Sequence, residues 1–285
     1  MVFAFLPTTV MLICSFLAMG VSVFLISTRD AFYADIGAGV MFMAAFGALL
    51  TVKSSHKLYI SSMGVLHEDF DKWYRKQQKI AAKSLAAKKL FVLSNIINGA
   101  LAYEKLDEAS ESIERFGRHI SKKEHPYYNY IYLDKLLSLM EKKHDLSDSK
   151  ELLSQMYEML NSKYFPDGNI KTSFISHFEH TRMAVEFYKR TPEMLRTTDR
   201  HIAEQFNVAS KLYLSVIVKS SPQVSYPLLA CYYDIGLSYA VMGNTENASQ
   251  YFEYISSSKR NYPLVSRVST YLSTGDIFIL MQTMP

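Results

Sequence analysis

His177 and His180, in the run His177-Phe178-Glu179-His180, form the densest group of side chains in this chain able to hold a metal or move a proton. On a helix, residues three apart share one face, and Glu186, His201 and Glu204 are further donors in the same stretch. A zinc-protease helix places its histidines four apart with Glu directly after the first; here Phe178 occupies that place. Zinc sites need three or four convergent ligands. The spacing therefore points to a surface or packed polar cluster, and neither a metal nor another cofactor is expected. No phosphate loop, dinucleotide fingerprint, nucleophile elbow or Cys-x-x-Cys pair is present, so no catalytic residue is assigned and the chain reads as a non-enzyme. Cys14 and Cys231 are far apart in apolar surroundings and suggest no disulfide framework.

The elements that carry these residues are helical. With 49% hydrophobic and 20% charged residues over 285 positions, the chain has a composition that excludes disorder. From about Lys57 onward apolar residues recur at spacings of three and four, without the alternation of strands. The fold class is all-α, with helices expected near 58–83, 85–103, 106–120, 127–143, 147–162, 169–190, 192–219, 222–242, 245–260 and 263–273. Thr191-Pro192 and Ser221-Pro222 each read as a cap followed by proline at the first helical position, and Phe165-Pro166-Asp167-Gly168 as a turn.

The N-terminal part has a different character. Residues 1–28 carry no charge, and 3–27 are dominated by Phe, Leu, Val, Ile and Met, long enough for a spanning helix. A second apolar run covers 36–52, so residues 1–54 are expected to form a two-helix transmembrane hairpin, placing the protein in the cell membrane as a multi-pass chain with two spans. Asp35 falls at its interface. Gly37, Gly39, Ala44, Ala45, Gly47 and Ala48 would let helix backbones approach closely, within the hairpin, in a homo-oligomer or against another membrane subunit. Arg29 alone in the loop, against Lys53, Lys57 and Lys72 after the second run, puts the large domain on the cytoplasmic side.

Charge is unevenly spread. Residues 1–103 carry 10 Lys and Arg against 5 acids, whereas 104–285 carry 21 against 22. Lys72, Arg75, Lys76, Lys79, Lys83, Lys88 and Lys89 follow Asp71 with no acid before Glu104. Residues 55–85 are thus a basic juxtamembrane helix suited to anionic lipid or to a solvated face, with Trp73 and Tyr74 at an interface. Clustered arginines interleaved with aromatics are missing, so no nucleic-acid partner is expected.

Residues 86–285 contain an internal repeat. Tyr232, Ile235, Gly236, Tyr239, Ala248 and Phe252 follow in order the pattern of an aromatic, a Leu-Gly pair, a Tyr, and later Ala-xxx-Phe, with Gly243 between the two halves. Weaker copies are Leu93, Ile96, Ile97, Ala100, Ala109 and Ile113, and Leu133, Leu136, Leu137, Met140, Ser149 and Leu153. In all three, nine residues separate the last position of the first helix from the small residue of the second. The segment Cys231–Ile255 resembles a tetratricopeptide repeat, and the domain resembles a TPR-like antiparallel helix-hairpin array. The resemblance implies a scaffold or adaptor that binds a protein or peptide partner on a curved face lined by first helices, where Asn95 and Asn98 would hold a ligand backbone. The same face of the strongest repeat carries Tyr233, Leu237 and Ala240 rather than the Lys, Arg and Asn of a carboxylate clamp, so an apolar or aromatic groove is expected, with Tyr127, Tyr128, Tyr130 and Tyr132 as further wall material. Two alternatives are a peptide-responsive membrane-bound regulator and a membrane-bound metal-dependent enzyme using residues 177–204.

Overall fold

The computed structural model describes residues 17–19, 21, 23–24, 36–45, 69–84, 86–120, 126–197, 199–220, 225–258 and 260–281. Every regular element among them is a helix, so the all-α class holds. The chain divides into two compact units, Met1–Val92 and Leu93–Pro285.

In the first unit, residues 36–45 are helical. Ten residues at 1.5 Å each span about 15 Å, roughly half of a bilayer's hydrocarbon core. No helix among the described residues is long and apolar enough to cross a membrane. This corrects the two-span reading and the cell-membrane placement built on it. The remainder of both apolar runs, with Arg29, Asp35, Gly47, Ala48, Lys53 and Lys57, lies outside the described residues. Helix α1, Phe70–Ala82, starts where the Asp69 side chain caps it, accepting from the backbone N–H groups of Asp71 at 2.8 Å and Lys72 at 3.4 Å. Its inner stripe is Phe70, Trp73, Gln77 and Ala81. Trp73 is 1% exposed and sits 6.0 Å from the Phe70 ring, a core position and not the membrane interface anticipated for it.

The second unit takes up helix α2, Ala86–Ala102, from Leu93 onward. Then follow α3 (Leu106–His119), α4 (Pro126–Lys142), α5 (Ser149–Asn161), α6 (Asn169–Met194), α7 (His201–Ser220), α8 (Tyr226–Val241), α9 (Thr245–Ser257), α10 (Pro263–Thr274) and α11 (Ile277–Met281). From α3 to α11 each helix packs on the next, and α8 also touches α11. Consecutive helices thus bury apolar faces against one another along the chain.

Three of the hairpins share one turn. At the end of α2, Lys105 N–H donates to the Ala100 carbonyl and Glu104 N–H to Leu101; the same pair of bonds joins Asp145 to Met140 and His144 to Glu141, and Asn244 to Tyr239 and Gly243 to Ala240. In each, the residue after the helix has positive φ: 56° at Glu104, 54° at His144 and 80° at Gly243. This is the Schellman C-cap. Five residues beyond it comes a small residue, Ala109, Ser149 or Ala248, each wholly buried. Gly236 lets α8 and α9 meet; a Cβ there would lie 2.5 Å from Phe252 Cε1.

One expected boundary moves. Thr191-Pro192 does not open a helix; Pro192 lies in the last turn of α6, which ends at Met194, and α7 begins only at His201. Thr191 Oγ1 donates back to the Phe187 carbonyl at 2.7 Å, so its hydroxyl serves the helix it ends instead of capping the next. Ser221-Pro222 lies outside the described residues; α8 is entered from Ser225, with Pro227 in its first turn.

Candidate functional site

The faces of α2, α4, α6, α8 and α10, the first helices of successive hairpins, together with Tyr213 of α7, line a cavity of about 230 Å³ with mixed polar and apolar walls. The helices supply these residues at helical spacings: Asp134, Ser138 and Glu141 on α4; His177, His180, Thr181, Ala184 and Tyr188 on α6; Tyr226, Ala230, Tyr233 and Asp234 on α8. A second hollow of about 560 Å³ shares Glu141, Lys142, Tyr188 and Tyr233 with the first and runs past Arg267, Leu280 and Met281.

The two histidines read from the sequence sit in this cavity, each facing an aspartate. His180 Nε2 lies 3.1 Å from Asp234 Oδ2, and the Tyr188 hydroxyl donates to Asp234 Oδ1 at 3.0 Å. The His180 ring is held between Phe206 and Tyr213, centroids 5.6 and 4.9 Å away. His177 Nε2 is 3.5 Å from Asp134 Oδ1, and its Nδ1 is 3.2 Å from the Tyr130 hydroxyl. Burial lowers His177 below the usual imidazole range, against the pull of Asp134. A neutral ring can then accept from Tyr130 at Nδ1 and point Nε2–H at Asp134. Burial alone would raise Asp134, but Lys135, at 2.7 Å, together with His177 and His180 outweighs it and holds the carboxyl below its ordinary value.

Beside the cavity lies a buried ion cluster. Arg267 of α10 grips Glu104 with two bonds, Nη1 to Oε2 at 2.9 Å and Nη2 to Oε1 at 2.5 Å, and Lys142 Nζ approaches Oε1 at 3.5 Å. Burial opposes ionisation of Glu104, yet the Arg267 hydrogen bonds and the Lys142 charge win and lower its pKa. The carboxyl of Glu141, one residue before Lys142, makes no ion pair among the described residues, and the pull of Lys142 and His180 on it is outweighed. Burial and then the Asp234 charge push its carboxyl up to about 7.

Among the described residues no group of three or more His, Cys, Asp or Glu side chains is arranged to hold a metal. Glu186 pairs with Arg190 at 2.5 Å, and His201 and Glu204 are exposed at the start of α7, so none joins the histidines. Cys231 is buried with Sγ donating to the Ser210 carbonyl at 3.2 Å, and burial raises its thiol pKa.

Of the partner-binding residues expected from the sequence, Asn98 and Tyr233 line the cavity. Asn95 is not among its lining residues; its Nδ2 is buried without a hydrogen-bond partner. Leu237 is wholly buried in the core and has no surface to offer. Tyr233 also carries a contact the sequence did not announce, its hydroxyl donating to the carbonyl of Leu280 on α11. The expected tyrosine wall is partly core: Tyr127 and Tyr130 pack with Phe165 and Phe174 at centroid distances of 5.0 to 6.3 Å. In the first unit Lys72, Arg75, Lys76, Lys79 and Lys83 all border a wide, open surface hollow of about 870 Å³ on the outer side of α1.

The sequence reading overlooked Asp134, Glu141, Tyr188 and Asp234. The available signal was a stripe of polar residues at spacings of three, four and seven on otherwise apolar first helices. Comparison with family models, with curated proteins and with solved structures found no match to this chain.

Proposed function

We propose that the second unit is a binding module of tetratricopeptide-like build, whose inner cavity takes a segment of a peptide or protein partner. The observation that carries this reading is the convergence of five successive first helices on one cavity that continues into a larger hollow. A fold held only by its core has no need to turn Asp134, Glu141, His180 and Asp234 inward together, because burying such groups costs free energy unless each is paired. Pockets of this kind combine an apolar wall with a few placed polar groups that fix orientation. Asn98, at the edge of the cavity, offers an amide that can both donate to and accept from a peptide unit.

The test is selection of heptapeptides, with free and with acetylated N-termini, against the full-length chain, followed by calorimetry. Saturable binding is expected, weakened at least tenfold by Asn98→Ala and by Ala230→Leu, which fills the cavity. No binding, or binding untouched by both changes, overturns the proposal.

A second reading is favoured by one contact. Because α11 lays Leu280 on the Tyr233 hydroxyl beside the shared hollow, a ligand reaching into that hollow would compete with it, making the module a peptide-responsive regulator. Faster hydrogen exchange in 277–281 on ligand binding would support this; unchanged exchange would count against it.

A further inference from the structure

With the histidines left aside, the carboxyls in and beneath the cavity outnumber the side-chain cations. Four carboxyls, Glu104, Asp134, Glu141 and Asp234, meet three side-chain cations, Lys135, Lys142 and Arg267. Arg267 and Lys142 are both spent on Glu104, and Lys135 on Asp134. Asp234 is served by His180 and by the Tyr188 hydroxyl. Glu141 remains, on the inner face of α4, lining both the cavity and the hollow beside it, its carboxyl making no hydrogen bond to any described residue. Tyr188, Tyr213, Tyr226 and Tyr233 line the same cavity.

We propose that this cavity is an ammonium site, in which Glu141 pairs with the cationic amino group of a ligand and the tyrosine rings surround its alkyl stem. The proposal rests on the peptide-binding reading and names the end of the partner that enters. A carboxyl with no cation in ion-pair contact, in a cavity lined by four tyrosines, complements an alkylammonium through charge pairing, to which any ring that turns its face inward adds cation–π attraction. The same surplus of negative charge disfavours a carboxylate end. A volume of about 230 Å³ falls below the range of drug-sized pockets and suits one amino group with a short stem. Such a group can come from a peptide N-terminus, a lysine side chain or a free diamine.

The state of the empty site fits. Sharing the cavity or the hollow with Glu141 are Asp134, Lys135 and Lys142 on α4, His144 and Asp145 in the turn after it, His177, His180, Tyr188 and Lys189 on α6, Tyr213 on α7, Tyr226, Cys231, Tyr233 and Asp234 on α8, and Arg267 on α10. Burial and Asp234 bring Glu141 to about 7, so without a ligand it shares a proton with solvent near neutrality. An ammonium replaces that proton, and affinity for an amine that stays protonated should rise about tenfold between about pH 6 and pH 8.

Calorimetry on the full-length chain decides, with cadaverine, tri-alanine amide, N-acetyl-tri-alanine amide and N-acetyl-Ala-Lys-Ala amide as probes. Binding of cadaverine that releases a proton, strengthens with pH as stated and falls at least tenfold in Glu141→Gln is the expected result, with the melting temperature of that variant showing that it is folded. Preference for tri-alanine amide over its acetylated form assigns the site to N-termini, and preference for the acetylated lysine peptide to side chains. If cadaverine fails to bind, or Glu141→Gln binds it as the parent does, the ammonium site is overturned; peptides selected with acetylated, lysine-free ends that still depend on Asn98 would leave the peptide-binding reading standing. Failure of every probe and of the heptapeptide selection overturns both.

Discussion

Glu104 and His144 occupy the same backbone position in two hairpins, the left-handed residue that ends the first helix, where Gly243 stands in the third. For a residue with a Cβ, that conformation costs about 1 kcal/mol. His144 is exposed and has nothing evident to offset the cost, so His144→Gly should stabilise the chain by about 1 kcal/mol, read as a melting temperature higher by about 3 °C. At Glu104 the backbone cost is offset by the two bonds from Arg267. Glu104→Gly relieves the backbone but strands a buried guanidinium, and breaking such pairs costs about 3 to 5 kcal/mol; its melting temperature should fall. A rise for both variants would show that the ion pair adds nothing. Only Gly243 advertised this turn in the sequence. Glu and His carry no turn signature, and equivalence became legible only through the nine-residue interval to Ala109 and Ser149. Polar residues of the cavity were hidden for a related reason: Asp134 and Asp234 look like surface residues until their own helices are placed side by side.

At the level of elements, helix class and most boundaries follow from periodicity, capping residues and turn residues, because these act within a few positions along the chain. The interval around Pro192 shows where local rules stop. Threonine followed by proline is a helix start when the preceding chain is free to turn, but here Thr191 is buried and bonded to Phe187, which keeps both residues on α6. The α8–α9 hairpin rests on a close approach, with the ideal Cβ of Gly236 only 2.5 and 2.8 Å from two Phe252 ring carbons, nearer than the 2.9 Å that separates a Cβ at Gly117 from the Tyr132 ring. Phe252 is wholly buried and has no space to retreat. Gly236→Ala should therefore cost about 1 to 3 kcal/mol by overpacking. Phe252→Leu alone should also destabilise, by leaving a void, yet the double variant should be more stable than the sum of the two losses. Chemical denaturation of the four chains measures that coupling; strict additivity would mean that the two residues do not meet.

Across the second unit, the bonds between Glu104 and Arg267 tie positions 163 residues apart, and Tyr103 meets Tyr262 at a centroid distance of 5.1 Å beside them. The turn after α2 is thereby held against α10 and the turn before it. Nothing local in the sequence marks such a contact, since near-neutral charge in residues 104–285 is the same whether its ions pair across the unit or face water. Its signature is a response to pH. Glu104 and Asp134 are lowered when folded, so their contribution is present above their unfolded values near 4 and is lost as pH falls through the lower folded ones. Glu141, raised to about 7, acts in the opposite sense: the stability it leaves intact below about pH 4.5 is lost as pH rises through 7. The ligand-free chain should be most stable between these limbs. Replacing Arg267 by Met removes one cation holding Glu104 ionised, so the acid limb should move to higher pH, with a melting temperature at neutrality lower by on the order of 10 °C. Glu141→Gln should leave the acid limb in place and flatten the decline toward pH 8. Melting curves from about pH 3 to pH 9 separate the cases: an acid limb that does not move in Arg267→Met would mean that the turn after α2 is not held by this pair, and an unchanged neutral decline in Glu141→Gln would assign the titration to another group of the cavity.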